Sequence, residues 1–395
     1  MSGRWALAGW AWLLLLACSQ PRDTGPVSDG RYLMGTVLEI TLHGPNPTDG
    51  SALLDRLFTH TARLERILTR FEDESELSRL NQSAGRGPQQ VHPDLARLLS
   101  ESRLQGRLTH GAFDMTIGPL VEVWSEAARK NRRPSPAALE RARSRVGFEK
   151  LRVDLGRATA ELPLRGMSVE LGGIAKGFAL DQLVTELQGT PVESALLSFG
   201  QSSIHALGAP PGQEGWRVLL RDASNGYAGV VTLRDQALSI SGSLGQGFEI
   251  EGRYYGHVID PRSGEPLTRR RLAAVTAPSG TRAEALAKGL VVLGEREGIA
   301  LLEQLPDAEG LLIDASGERW ASSGWERSVH FKPMETGASA LLSRASERRQ
   351  EHRALALGVR REELRHLVIE EGESGRPEAL GVRAQIDPSP ENSSF

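Results

Sequence analysis

The sequence predicts an α+β protein, in which mixed sheets pack against flanking helices. Apolar residues recur at helical spacing in several segments, and short runs rich in β-branched residues lie between those segments. The 43 glycines and the low aromatic content of 5% indicate many tight turns in the chain of 395 residues. Because the helices and strands do not alternate regularly, a doubly wound parallel sheet is disfavoured.

Helices are predicted where apolar residues share one helical face, and 94–108 begins after Pro93, at a favourable first-turn position. The predicted helices are 51–71, 94–108, 177–187, 282–293 and 299–305. Thr281 and Glu284 form the pattern of a capping box at the start of the fourth. The predicted strands are 32–42, 195–198, 216–221, 229–233, 236–241, 247–251 and 310–313, and short β-like segments are expected over 147–170.

The N-terminus has the pattern of a lipoprotein signal peptide. Arg4 precedes an apolar run over 5–17 that is too short to span a bilayer, and the run ends in Leu-Leu-Ala before Cys18. We expect a signal peptide over 1–17, a lipid anchor on Cys18 and a tether over 18–30. Ser19 resembles an outer-membrane sorting signal, which predicts a periplasmic protein held at that membrane. The alternative is an incidental cysteine, but its position and neighbours favour the anchor.

Composition excludes several classes of function. Cys18 is the only cysteine, so the chain has no internal disulfide and no cysteine metal site. The net charge is −3 and no basic run is separated from acidic residues, so nucleic acid binding is not expected. The globular core is predicted to end near Phe331, which leaves a polar extension over 333–395 that is partly helical (341–371) or disordered (386–395).

Four segments carry candidate chemistry, although each is weak alone. The Gly-Gly pair at 172–173 precedes a helix that opens with Lys176, an arrangement that suits a phosphate but also occurs in ordinary turns. Asp114 follows an aromatic residue, and its local sequence favours a turn or cap residue over a ligand contact. His257 lies three residues before Asp260, which suits acid–base work, although most histidines in strands are structural. The fourth segment is the helix that contains Glu284 and Lys288.

Taken in order, these segments resemble the FAD:protein FMN transferases of the ApbE type. The matching segments are 34–36 (Met-Gly-Thr), 75–81 (Ser-Glu-Leu-Ser-Arg-Leu-Asn), 111–114 (Gly-Ala-Phe-Asp), 172–177 (Gly-Gly-Ile-Ala-Lys-Gly) and 257–264 (His-Val-Ile-Asp-Pro-Arg-Ser-Gly). The resemblance implies one FAD-binding transferase domain over 31–332, with a flavin cleft between its sheets and helices. A lipoprotein N-terminus is also common in that family.

The resemblance also implies an activity and a set of site residues. Such enzymes bind FAD with Mg²⁺ at the pyrophosphate, transfer FMN to a Thr or Ser hydroxyl of a partner protein and release AMP. His257 resembles the active-site histidine, and Asp260 is expected to orient the site. Gly173, through its backbone, and the positions of Glu284 and Lys288 correspond to the metal site. The expected FAD contacts are Met34, Phe71, Ala112, Phe113, Asp114, Glu170, Lys176 and Ile259.

Several positions depart from the family pattern. Phe71 stands where a tyrosine is usual, Glu170 replaces an aspartate, and Gln201 replaces a glycine. On the last helix, Glu284 replaces a metal-binding aspartate and Lys288 a metal-binding threonine, and a protonated lysine has no acceptor for Mg²⁺. The spacing of Glu284 and Lys288 also suits an ion pair. Two alternatives to a transferase therefore stay open, a non-catalytic FAD-binding lipoprotein and an FAD pyrophosphatase.

Overall fold

The computed structural model describes residues 25–222, 226–243 and 247–334. Cys18, the signal peptide, the first part of the tether, and the extension beyond Met334 with its predicted helix lie outside the described residues. The helices are α1 (Pro47–Leu68), α2 (Glu76–Gln82), α3 (Pro93–Leu108), α4 (Gly118–Arg129), α5 (Pro136–Arg143), α6 (Ala175–Leu187), α7 (Gly280–Leu302) and α8 (Trp325–Ser328). In this part of the chain, no helix has the length and apolar character needed to cross a membrane.

The strands of the described residues form one large sheet and three small ones. They are β1 (Val27–Leu33), β2 (Thr36–His43), β3 (Gln89–Gln90), β4 (Arg152–Asp154), β5 (Thr159–Glu161), β6 (Ser194–Phe199), β7 (Ser203–Leu207), β8 (Trp216–Arg221), β9 (Tyr227–Leu233), β10 (Gln236–Gly242), β11 (Gly247–Ile250), β12 (Arg253–Gly256), β13 (Arg271–Ala277), β14 (Glu309–Asp314), β15 (Arg319–Ala321) and β16 (Lys332–Pro333). The large sheet has the order β1-β2-β6-β7-β10-β13-β14-β15, and its neighbouring strands are antiparallel. This architecture confirms the α+β prediction.

Apolar cores lie on both faces of the large sheet. Alternate residues of β13 face opposite cores. Ala273 and Val275 pack with α7, whereas Leu272 and Ala274 pack with β8 and β9. A third core joins α1, α3 and α6 to β2 and β6, and a fourth joins α4 to the β11–β12 hairpin. The sheet is therefore buried between a helical layer and a second, smaller sheet.

The predicted strand 32–42 is divided into two strands, because the chain forms a hairpin there. Leu33 pairs with Thr36, and Met34 and Gly35 between them have left-handed backbone angles, with φ of 52° and 79°. Positive φ at both central residues is the geometry of a two-residue hairpin turn. The sheet also begins at Val27, inside the segment predicted as a tether.

Other helices begin or end at residues that differ from the predicted ones, for local reasons. Asn46 caps α1 by accepting a hydrogen bond from the backbone of Asp49, so the helix begins before residue 51. It ends at Leu68, which leaves Phe71 outside the helix. The two predicted helices 282–293 and 299–305 belong largely to one element, α7, which is interrupted at Gly294 (φ 78°).

Candidate functional site

Three of the motif segments meet beside the start of α6. A Cβ placed on Gly173 would lie 3.6 Å from Cε of Lys288 and 3.8 Å from Cε2 of Phe113. Lys288 is on α7, and Phe113 follows α3, so the three residues come from distant parts of the chain. The fold therefore brings the Gly-Gly segment, the Gly-Ala-Phe-Asp segment and the last motif helix together, as the resemblance implies.

Glu284 connects α7 to the first turn of α6. Its carboxylate accepts a hydrogen bond from the backbone N–H of Gly177 at 2.9 Å and another from the hydroxyl of Ser203. A carboxylate at a helix N-terminus satisfies a free N–H and interacts favourably with the helix dipole. The side chain of Ile174, which precedes α6, makes no capping hydrogen bond, so Glu284 does this from another helix.

The predicted capping box at Thr281 and Glu284 is wrong. Ser279 is the N-cap of α7 and accepts from the backbone N–H of Arg282. The hydroxyl of Thr281 donates instead to Asp181 of α6, which also accepts from the backbone N–H groups of Gly280 and Thr281. The predicted ion pair is not formed either, because Glu284 is committed to Gly177 and Ser203 and, among the described residues, has no cationic nitrogen within bridging distance.

Asp114 lies buried within its own segment. One of its oxygens accepts from the backbone and hydroxyl of Thr116 at 2.7 Å each, and the other accepts from the backbone of Phe148 at 2.8 Å. Burial raises the pKa of Asp114, and these hydrogen bonds oppose the rise. The contacts hold the Gly-Ala-Phe-Asp loop in shape, and a contact of Asp114 with FAD stays a prediction.

Glu170 lies next to this segment. Its backbone N–H donates to the carbonyl of Met115 at 2.7 Å, and its carboxylate accepts from the backbone of Gly172 at 2.7 Å. It also forms an ion pair with Arg70. The guanidinium of Arg70 lies 4.7 Å from the centre of the Phe71 ring, which is 84% exposed. Arg70 therefore brings together two of the predicted FAD contacts, Phe71 and Glu170.

Two turns border the same end of the large sheet, where β2 begins and β6 ends. In the first turn, Met34 is partly buried and its backbone N–H donates to the carboxylate of Glu65 on α1 at 2.7 Å. The second turn joins β6 to β7 through Gly200 and Gln201. The N–H of Gly200 donates to the carbonyl of Val37 at 3.0 Å, which ties the second turn to β2.

The His257 segment follows β12 and leads into a tight turn. His257 is exposed. Val258 shares a buried apolar cluster with Ala112 and with α7, whereas Ile259 packs on the opposite side with α4. The segment is thus held between α4 and α7, with His257 at the surface.

Asp260 belongs to the turn that follows. Its carboxylate accepts from the backbone N–H, Nε and Nη2 of Arg262 at 2.9–3.0 Å. The carbonyl of Gly264 accepts from the indole N–H of Trp124 at 2.8 Å, which fastens the turn to α4. These contacts give Asp260 a structural role, and its predicted part in catalysis remains a prediction.

Two lysines set the charge of the site. Lys176 is in the first turn of α6, and Lys288 lies against Gly173. Burial, followed by the positive charge of Lys176, lowers the pKa of Lys288 to about 8, and the nearby Glu284 opposes this shift. Lys176 stands three residues after Gly173, so both lysines belong to the region around the start of α6.

The residues at the family's metal position do not fit Mg²⁺. This ion requires oxygen ligands in near-octahedral geometry. The ammonium of Lys288 has only donors, and both oxygens of Glu284 already accept hydrogen bonds. Over residues 25–222, 226–243 and 247–334, no group of three or more His, Cys, Asp or Glu side chains is placed to hold a metal ion.

The sequence is similar to known proteins over most of its length. Residues 34–312 match the sequence model of the ApbE family. The chain belongs to the ApbE family. It is 32% identical to the FAD:protein FMN transferase of Treponema pallidum over 315 residues, which cover 75% of this chain and 87% of that protein. It is 30% identical to the FAD:protein FMN transferase of Vibrio cholerae over 340 residues, which cover 84% of this chain and 98% of that protein.

Solved ApbE structures share this fold. The flavin transferase ApbE from Vibrio cholerae superposes with a TM-score of 0.68 at 27% identity, covering 77% of this chain and 99% of that one. The ApbE protein of Thermotoga maritima superposes with a TM-score of 0.69 at 22% identity, and the match covers 77% of this chain and 99% of that one. The second likeness concerns the fold alone. Together they confirm the predicted architecture of mixed sheets and flanking helices.

Sequence reasoning missed two residues that build this ApbE site. Asp181 ends the Gly-Gly helix motif and caps α7, and Ser203 donates to Glu284. Asp181 stands five residues after Lys176, so it lies in the motif segment and could have been singled out. No local signal marks Ser203, because its role depends on the pairing of β7 with β10 and on the position of α7.

Proposed function

We propose that this protein is an FAD:protein FMN transferase. It transfers FMN from FAD to a Thr or Ser hydroxyl of a partner protein, through a phosphoester, and releases AMP. The observation that carries the proposal is the meeting of Gly173, Phe113 and Lys288 beside the start of α6 in a chain of the ApbE family. The relatives named FAD:protein FMN transferase support the same reaction.

The reaction exchanges one phosphorus–oxygen bond for another. The acceptor oxygen bonds to the phosphorus of the FMN half, the bond from that phosphorus to the bridging oxygen of AMP breaks, and the acceptor hydroxyl loses its proton. A base is needed for that proton, and an imidazole can accept one near neutral pH. His257 is exposed just after the end of β12, where a partner protein can reach it, so we assign it this role.

The predicted FAD contacts divide according to their chemistry. Phe71 offers an exposed ring, which suits stacking with an aromatic ligand. Met34, Ala112, Phe113 and Ile259 are apolar and lie in tightly held segments. Gly172 and Gly173 lead into the start of α6, where a phosphate is favoured. Lys176 adds positive charge there.

Transfer can be tested with the full chain, FAD and an acceptor protein that carries a flavinylation Thr. We expect the mass of the acceptor to increase by one FMN group, with one AMP released for each label. An acceptor with Ala in place of that Thr should stay unlabelled. Release of both AMP and FMN without labelling of the acceptor would indicate a pyrophosphatase. Binding of FAD without release of AMP would indicate a non-catalytic FAD-binding protein. Either result would contradict the proposal.

The role of His257 is tested by His257→Ala. Loss of a general base lowers the rate by about 10²- to 10⁴-fold, and we expect FAD affinity to stay unchanged because the flavin contacts remain. His330→Ala is the matched control, since His330 is also exposed and lies just before β16, outside the motif segments. Equal rates for the two variants would contradict the assignment of His257.

We further propose that the protein is lipid-anchored at Cys18 and faces the periplasm, with the outer membrane favoured by Ser19. The support is the apolar run over 5–17 and the Leu-Leu-Ala-Cys sequence at its end. The acceptor protein is then expected in the same compartment. The polar extension over 333–395 has no assigned role in transfer.

A further inference from the structure

Lys288 occupies the place where the resemblance expects a metal ligand. Its Cγ and Cε lie 3.7 and 3.6 Å from the Cβ position of Gly173, so the aliphatic part of the side chain runs along this glycine. Part of Lys288 remains accessible to solvent. A Cβ at position 173 would be in ordinary van der Waals contact with the lysine, so Lys288 packs beside Gly173 next to the first turn of α6.

Among the described residues, no acidic side chain is bonded directly to the positive charges of this region. Across the described residues, neither Lys176 nor Lys288 has a carboxylate within bridging distance or a hydrogen-bonding partner for its ammonium group. The closest acid in sequence on the same helix face, Glu284, is held by Gly177 and Ser203. Two neighbouring ammonium groups without an anionic partner favour the binding of an anion.

A divalent cation would be poorly accommodated at the same point. Lys288 and Lys176 would repel it, and Glu284 could ligate it only by giving up a cap of α6. A diphosphate carries opposite charge to both lysines and can accept all the hydrogen bonds that they donate. The first turn of α6 adds the positive end of a helix dipole.

We propose that Lys288, together with Lys176, replaces the divalent cation expected for the family and binds the diphosphate of FAD directly. This inference rests on the proposed function, because it takes FAD as the ligand. It predicts that FAD binds this protein without Mg²⁺. Lysine supplies one charge where Mg²⁺ supplies two and holds the ligand less rigidly, so transfer is expected to be slow and to respond weakly to metal.

The first test is calorimetric titration of the full chain with FAD, in excess Mg²⁺ and in EDTA. We expect the two dissociation constants to differ by less than about twofold. A tenfold difference would correspond to about 1.4 kcal/mol of binding free energy. Loss of FAD affinity in EDTA and its recovery with Mg²⁺ would overturn the inference. This measurement needs no variant and so does not depend on whether a variant folds.

The second test replaces the charge and keeps the size of the side chain. Lys288→Met should weaken FAD binding by about 10- to 100-fold, the range for hydrogen bonds to charged groups, and should leave riboflavin binding unchanged because riboflavin has no phosphate. Lys288→Arg should retain most of the FAD affinity. Lys130→Met is the matched control, since Lys130 is exposed and pairs with Glu126. Unchanged FAD affinity in Lys288→Met would overturn the inference.

The third test restores the family pattern. The double variant Glu284→Asp with Lys288→Thr should acquire an FAD affinity that depends on Mg²⁺. If EDTA changes its FAD affinity as little as that of the native chain, the result counts against the inference. Failure of the proposed function looks different, because the native chain would then bind FAD without labelling the acceptor, and the inference about Lys288 would stand. A native chain that binds FAD no better than riboflavin in either buffer would overturn the proposed function and this inference together.

Discussion

Two successive residues, Gly200 and Gln201, have left-handed backbone at the turn between β6 and β7, with φ of 52° and 63°. A Cβ on Gly200 would lie 2.4 Å from Oγ1 of Thr36, so that position requires glycine. Gln201 is exposed, and its side chain therefore meets no such obstacle. This explains how the second glycine of the family pattern can be replaced while the turn is kept.

At this residue scale we predict that Gln201→Gly stabilises the protein. A left-handed conformation costs a non-glycine residue about 1–2 kcal/mol, and the greater freedom of glycine in the unfolded chain offsets about 0.4–1 kcal/mol of the gain. The free energy of unfolding should rise by up to about 1.6 kcal/mol, measured as a higher urea midpoint with an unchanged slope.

The control for this prediction is Gln213→Gly. Gln213 does not have left-handed backbone, so the substitution relieves no strain and should lower the midpoint slightly. If Gln201→Gly lowers the midpoint as much as Gln213→Gly, the turn at Gln201 is not strained.

At the scale of elements, α6 and α7 cap each other. Glu284 of α7 accepts from the backbone of Gly177 in α6, and Asp181 of α6 accepts from the backbones of Gly280 and Thr281 in α7. The two helices touch where both have glycine, since a Cβ on Gly177 would lie 2.2 Å from the carbonyl oxygen of Gly280. This contact sets the position of α7 against the start of α6, and with it the position of Lys288 against Gly173.

We predict that Asp181→Ala destabilises this pair of helices. Two backbone N–H groups and the hydroxyl of Thr281 lose their acceptor, which should lower the free energy of unfolding by about 1–3 kcal/mol. FAD affinity should fall as well, because α7 carries Lys288. Urea unfolding and FAD titration measure the two effects.

Asp55→Ala is the matched control for Asp181→Ala. Asp55 pairs with Arg31 at the surface and its side chain is 67% exposed, so its loss should cost about 0–1 kcal/mol. Equal destabilisation by the two substitutions would show that the reciprocal caps do not hold the helices together.

At the scale of the whole molecule, the proposed anchor limits where the site can act. Cys18 and Val27, the first residue of β1, are nine residues apart, and an extended chain spans at most about 3.3–3.6 Å per residue. Val27 would therefore stay within about 30 Å of the membrane surface. An acceptor Thr or Ser must be presented to a domain that is held to the membrane at this point.

We predict that Cys18→Ser releases the protein from the membrane fraction and reduces labelling of a membrane-embedded acceptor. Labelling of a soluble acceptor should not change, because the substitution lies outside the folded domain. Fractionation followed by flavin fluorescence of the acceptor measures both effects. Gln20→Ser keeps the cysteine and should remain with the membrane. Recovery of the unaltered full-length protein as a soluble species would contradict the anchor.

Local patterns in the sequence determined the fold class, the helix Pro93–Leu108 and the strand Trp216–Arg221 closely, and the order of motifs identified the family. Helical spacing and β-branched runs are properties of neighbouring residues, so they can be read without the fold. The strand Arg271–Ala277 was missed because both of its faces are buried, which removes the alternation of apolar and polar residues that marks a half-buried strand.

Only the tertiary structure decided which groups the charged side chains of the site bond to. From spacing alone, Glu284 was expected to pair with Lys288 or to cap its own helix. Its partners are instead Gly177 and Ser203, which are 107 and 81 residues away in the chain. A carboxylate bonds to whatever donors the fold brings near it, and those donors come from a different helix and a different strand. The same packing places Lys288 against Gly173 and leaves its ammonium without an anionic partner among the described residues, which spacing along the chain does not reveal.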